Sequence, residues 1–178
     1  MAILEDVPGI EVAITVNGND LKEYEEDDIV NEPKTVTKYI EATSGVNFGI
    51  RYSVARRFPM KGDCITFSMY LDNEKCGSSV VTKASVNTSS SQHCKYGRNE
   101  ADSKLRRFMF AALETGSSDE LRIEEDNARV QKIGTMEVRV YHKRIISRFV
   151  RPRQPEFARI GILPEKALKG QTISHNIR

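Results

Sequence analysis

Ile10-Glu11-Val12-Ala13-Ile14-Thr15-Val16 carries a clear periodicity of two. Ile10, Val12, Ile14 and Val16 recur at every second position. Successive side chains of a strand point to opposite faces, so this pattern reads as a strand buried on one side. Pro8-Gly9 stands before it and Asn17-Gly18-Asn19 after it, residues suited to tight turns. The same period of two returns at Phe48, Ile50, Tyr52 and Val54. It returns again at Ile65, Phe67, Met69 and Leu71, separated by Thr66, Ser68 and Tyr70.

Outward from these runs, further strands are predicted at 35–43, 76–85, 104–114 and 135–145. In the first, Val36, Ile40 and Ala42 share one face and Tyr39 takes the other. Val80 and Val81 anchor the weaker second one, and Leu105, Phe108, Phe110 and Ala112 build the third. In the last, Met136, Val138 and Val140 alternate with Glu137, Arg139 and Tyr141. Asp72-Asn73-Glu74-Lys75 reads as a hairpin tip. The acidic residues 23–28 read as a solvated loop running to Pro33, and the Ser/Asn-rich residues 86–103 as a mobile loop. One helix is predicted at about 119–132, because Ser117-Ser118-Asp119-Glu120 offers N-caps and a capping box and Gly134 suits its end. The pattern predicts a mainly β fold: an antiparallel β-sandwich, jelly-roll or Ig-like, with one α-helix before the last strand. Residues 1–146 form that domain, and 147–178 a basic C-terminal arm too polar for a core of its own.

The 178 residues, 39% hydrophobic, suffice for one domain with an appendage. No run approaches the roughly 20 apolar residues that span a bilayer, and Glu5 and Asp6 stand where a secretory signal needs positive charge. Cys64, Cys76 and Cys94 are odd in number and without framework spacing, which favours free thiols in a reducing compartment. The chain is expected inside the cell, cytoplasmic or nuclear or both, not secreted and not at a membrane. Its net charge of +2 conceals an asymmetry. Residues 1–33 carry ten acidic side chains against Lys22, and residues 139–178 carry ten Lys/Arg against Glu156 and Glu165. Ends of opposite sign attract one another or address separate partners.

No constellation of catalytic residues is legible. His93 and Cys94 are adjacent, with Cys64, Cys76 and His142 elsewhere, but the paired spacing of a structural zinc site is missing. There is no Gly-x-Ser-x-Gly elbow and no glycine-rich phosphate loop. The carboxylate runs Glu25-Glu26-Asp27-Asp28 and Glu124-Glu125-Asp126 read as solvated charge. The expectation is therefore no enzyme, no catalytic residues, no metal and no cofactor, with a cleft invisible to sequence as the alternative. The basic arm is more informative. Arg148, Arg151, Arg153 and Arg159 interleave with Phe149 and Phe157, and these six are the candidate macromolecule-binding residues. Arginine forks pair with phosphate and aromatic rings stack on bases. The same composition suits a nuclear-import patch or a segment that folds on an acidic partner. Phe149, Val150, Phe157, Ile160, Ile162 and Leu163 also offer an apolar face that packs back on the sandwich, so three readings stay open.

Four stretches carry a family likeness: Val7-Pro8-Gly9-Ile10-Glu11-Val12, Lys38-Tyr39-Ile40-Glu41-Ala42-Thr43-Ser44-Gly45, Ile133-Gly134-Thr135-Met136-Glu137-Val138, and Pro164-Glu165-Lys166-Ala167-Leu168-Lys169-Gly170 with Ser174-His175. The chain resembles an uncharacterised fungal domain family, a domain of unknown function. The resemblance implies a fungal, intracellular, mostly-β domain with no assigned activity and no site residues to carry over. It also implies that the tail is more than an arbitrary linker. The expected function is a non-catalytic interaction module that presents a sheet edge or the basic arm to another macromolecule, above all a protein. The alternative is a nuclear or nucleic-acid-associated regulatory factor working through the arm. Sheet-edge pairing is an expected route to an oligomer.

Overall fold

Each clean alternation becomes a strand in the computed structural model, which describes residues 1–4, 6–25, 32–99, 104–113, 115–116, 133–146, 163–164 and 175–177. In chain order the strands begin with β1 (Ala2–Ile3), β2 (Ile10–Val16), β3 (Asn19–Asp20), β4 (Glu23–Tyr24) and β5 (Tyr39–Ile40). Next come β6 (Asn47–Val54), β7 (Cys64–Leu71), β8 (Glu74–Thr82) and the short helix α1 (Lys83–Thr88). Then follow β9 (Ser91–Lys95), β10 (Gly97–Asn99), β11 (Leu105–Ala112), β12 (Thr115–Gly116), β13 (Met136–Lys143), β14 (Leu163–Pro164) and β15 (His175–Ile177). No helix among the described residues is long and apolar enough to cross a membrane.

β6 is the axis of the larger sheet. β2 lies antiparallel along one side, from Ile10 opposite Val54 to Thr15 opposite Gly49. On the other side β9 takes the C-terminal half, and β11 takes the start, with Phe108 opposite Phe48. β1 and β3 pair with β2, while β10 and β15 pair with β11. The smaller sheet runs β13-β7-β8, all antiparallel. β4 and β5 form a small antiparallel ribbon, and β12 and β14 a short parallel pair.

The two main sheets bury their apolar rows in one core. Phe48, Ile50, Tyr52 and Val54 of β6 join Ile65, Phe67, Met69 and Leu71 of β7 in a single cluster with Val81, Val86, Phe108 and Phe110. The rings of Tyr52 and Phe67 meet at 4.5 Å between centroids, and Phe48 stacks on Phe110 at the same distance. Each such side chain, fully buried, contributes roughly 1.5–3 kcal/mol. β7 is buried on its second face too, where the small hydroxyl residues Thr66 and Ser68 lie.

The fold is mainly β with antiparallel sheets, as expected, but several local expectations are corrected. Of the strand predicted at 35–43 only β5 forms, held by the two-residue β4. β4 itself lies at the start of the stretch read as a solvated loop. The strand predicted at 76–85 stops at Thr82, whose hydroxyl accepts the Ser85 N–H (3.3 Å) and caps α1. Residues 86–103, read as a mobile loop, contain the end of α1 and the strands β9 and β10. Their polar composition disfavours a strand locally, but pairing with β6 and β11 overrides that preference. β13 is also not the last strand, since β14 and β15 follow it within the segment read as an arm. The helix predicted at about 119–132 lies outside the described residues.

The Asp72-Asn73 tip joins β7 to β8 with positive φ at both residues (47° and 67°), the conformation that a two-residue hairpin requires. Asp72 is 8% exposed, and its Oδ1 accepts the Gly134 N–H at 2.7 Å. Its own N–H donates to the Thr135 carbonyl at 2.9 Å. One residue thereby makes the turn and anchors the chain leading into β13. Asp72→Ala is expected to cost roughly 2–4 kcal/mol, from the left-handed backbone and a lost charge-assisted hydrogen bond. Asp72→Asn, which tolerates that φ and keeps an acceptor, should cost less than half as much in urea denaturation.

Candidate functional site

Among the described residues, β13 is paired along one side only. Its register with β7 is unbroken from Met136 opposite Leu71 to Lys143 opposite Cys64. At its two ends the Asp72 N–H donates to the Thr135 carbonyl and the Asp63 N–H to the Lys143 carbonyl, both at 2.9 Å. Alternate residues of an antiparallel strand turn their backbone groups to the same neighbour. The odd-numbered residues of β13 therefore bond to β7, and Met136, Val138, Val140 and His142 turn their N–H and C=O away from it. Among the described residues no strand takes up that second side.

The side chains of β13 divide between the two faces of the sheet. Met136, Val138 and Val140 pack against the core, whereas Glu137, Arg139, Tyr141 and Lys143 line an exposed outer face. The Arg139 guanidinium donates to both Glu137 carboxylate oxygens at 2.7 and 2.8 Å. It also lies 4.5 Å from the centre of the Tyr70 ring. These hydrogen bonds from Arg139 to Glu137 push the guanidinium further above its ordinary pKa, so it stays charged. Tyr141 remains 48% exposed. At the far end the Lys61 N–H donates to His142 Nδ1 (3.2 Å) and Phe58 stacks on the imidazole, holding the ring of this exposed residue in place.

The six residues singled out in the arm, Arg148, Phe149, Arg151, Arg153, Phe157 and Arg159, lie outside the described residues, so no described surface brings them together. Of the segment 147–178, β14 pairs with β12 and β15 with β11. The edge of β13 was visible in sequence only as an alternation, because nothing in a strand's own residues says which side finds a neighbour.

Elsewhere the polar groups hold one another in place. His93 and Cys94, neighbours in sequence, point to opposite faces of β9, so they cannot chelate one ion together. His93 stacks on Tyr52 and bonds Ser91 Oγ at 2.7 Å, while Cys94 Sγ lies 3.6 Å from Thr15 Oγ1. Gly49 makes room for that arrangement, since a Cβ there would meet Cys94 Sγ at 2.7 Å and the Tyr96 ring at 2.8 Å. Among the described residues no group of three or more His, Cys, Asp or Glu is placed to hold a metal ion. A cleft of about 260 Å³ opens between Leu21, Lys22, Tyr24, Glu41 and Thr43, with the Lys22 ammonium 4.7 Å from the Tyr24 ring centre.

Cys76 is the extra residue of a bulge where β8 shifts register against Met69 and Tyr70 of β7. It is 1% exposed, and its Sγ donates to the Met69 carbonyl at 3.4 Å. Burial pushes the thiol up to about 11, against the partial opposition of Lys95 and Arg98. A thiol held neutral in this way is a structural group rather than a nucleophile.

A family model described as Domain of unknown function (DUF7918) matches residues 9–178, a span that takes in both main sheets except for β1, and the C-terminal segment as well. No curated protein and no solved structure matches the chain.

The Cys76 shift has a consequence for stability. Above pH 9.0 the unfolded thiol releases its proton, while the native one keeps it to about 11. Folding stability should therefore be intact below pH 9 and fall by roughly 2–3 kcal/mol as pH rises to 11. Urea titrations across that range should show a shallower decline for Cys76→Ala than for the parent. Equal slopes would remove Cys76 as the cause.

Proposed function

The chain belongs to the DUF7918 family, and we propose that it is a non-catalytic interaction module that receives an extended protein segment along β13. The observation that carries this reading is an eight-residue strand with one side unpaired among the described residues. An added strand gains main-chain hydrogen bonds from Met136, Val138, Val140 and His142, and it takes specificity from alternate side chains on the two faces. Its inner row would continue the half-buried row of Met136, Val138 and Val140, and its outer row would meet Glu137, Arg139, Tyr141 and Lys143. The proposed scaffold is a β-sandwich of the jelly-roll or Ig-like kind, whose rigid β7 holds the receiving strand straight. Three free thiols, two of them buried, support an intracellular site of action, cytoplasmic or nuclear.

Val140→Pro tests the reading, because it removes an N–H that faces the open side and no bond to β7. In a pull-down from cell lysate read by mass spectrometry, the whole chain should retain proteins through high salt that the variant loses, with circular dichroism unchanged. If the retained partners are instead nuclease-sensitive and salt-labile, survive Val140→Pro and disappear with Arg148→Ala/Arg151→Ala/Arg153→Ala, the nucleic-acid reading of the basic arm replaces this one.

A further inference from the structure

We infer that the partner that β13 accepts is a second copy of this chain, joined antiparallel across a two-fold axis at Val140. The inference rests on the module reading above and concerns the same edge. A two-fold pairing that continues the sheet must keep outer-face residues opposite outer-face residues. The axis therefore passes through a residue position, and few registers are available. With the axis at Val140, Glu137 of each copy stands opposite Lys143 of the other, and Arg139 stands opposite Tyr141. Both pairs are complementary: carboxylate with ammonium, and guanidinium with aromatic ring. On the inner face Val140 meets Val140 and Val138 meets His142, which extends the apolar row.

The neighbouring registers are worse. With the axis at Arg139, two guanidinium groups face each other. With the axis at Tyr141, Arg139 faces Lys143. An axis at Val138 sets Glu137 opposite Arg139 but shortens the seam to residues 136–140. Only the Val140 register combines complementary charge with pairing from Glu137 to Lys143.

The backbone agrees with this register. Val138, Val140 and His142 turn their N–H and C=O to the open side, so they form the hydrogen-bonded pairs of the seam. Glu137, Arg139, Tyr141 and Lys143 then fall at the non-hydrogen-bonded pairs, where side chains approach most closely. Arg139 already rests one face on Tyr70, and the second copy brings Tyr141 against the other. The result is a continuous six-stranded sheet, β8-β7-β13 followed by its mirror sequence in the second copy.

Sedimentation velocity on the full chain tests this. The parent should give a concentration-dependent species at twice the 20.1 kDa of the chain. Lys143→Glu and Glu137→Lys each set like charges opposite one another at both ends of the seam, and each should weaken the dimer about 10-fold or more. The double change Glu137→Lys/Lys143→Glu should restore it, which a merely structural role for either residue would not produce. Val140→Pro should leave a folded monomer, and hydrogen exchange at the Val138, Val140 and His142 amides should slow as the parent concentration rises. A parent that stays monomeric into the millimolar range overturns the proposal, as does a dimer indifferent to Val140→Pro and to both charge changes. In those cases the module reading survives if Val140→Pro still loses salt-stable protein partners, and it falls as well if that variant keeps them.

Discussion

Phe67 pressed against Tyr52, with 4.5 Å between ring centroids, lies at the centre of the contact on which the rest of the chain depends. It belongs to a row, Ile65, Phe67, Met69 and Leu71, that meets Phe48, Ile50, Tyr52 and Val54 across the space between the two main sheets. β6 and β7 are the inner strands of their sheets, with neighbours on both sides. Displacing either row strips apolar cover from the other and loosens two ladders at once. Peripheral elements attach to this pair. The α1 helix contributes Val86 to the cluster, and β11 closes one end with Phe108 and Phe110.

A core of this kind constrains the edges. Once β7 is buried on both faces, its neighbours β8 and β13 must supply the exposed surface of the smaller sheet, and among the described residues both of them end it. β13 carries the usual defences of such an edge, with charge on its outer face at Glu137, Arg139 and Lys143. Those charges do not repel uniformly. They are of both signs, one carboxylate and two cations, and sit beside Tyr141. The unbroken register with β7 keeps these four side chains evenly spaced along the outer face.

The thiols fit the same division between core and surface. Cys64 and Cys76 are buried, and Cys76 occupies the bulge that lets β8 bend against β7. Nearby, Lys95 lies across Gly77, where a Cβ would meet its Cε at 2.6 Å. Its ammonium partly offsets the effect of burial on the Cys76 thiol without abolishing it. Such groups make the interior specific rather than reactive.

By itself the sequence determined the strands that carry their own signal. Period-two alternation marked β2, β6, β7, β11 and β13, and Asp72-Asn73 marked the turn that sets β8 against β7. These follow from residues acting on themselves and their immediate neighbours: branched and aromatic side chains on one face, and positive φ where asparagine and aspartate tolerate it. Tertiary structure decided everything that needs a distant partner. It made strands of the polar residues 91–99 because β6 and β11 had ladders to offer, and of residues 35–43 it kept only β5, the part that β4 pairs with. That β13 is an edge among the described residues is of the same kind, since a strand's hydrogen-bonding sides are identical in sequence until a neighbour occupies one of them.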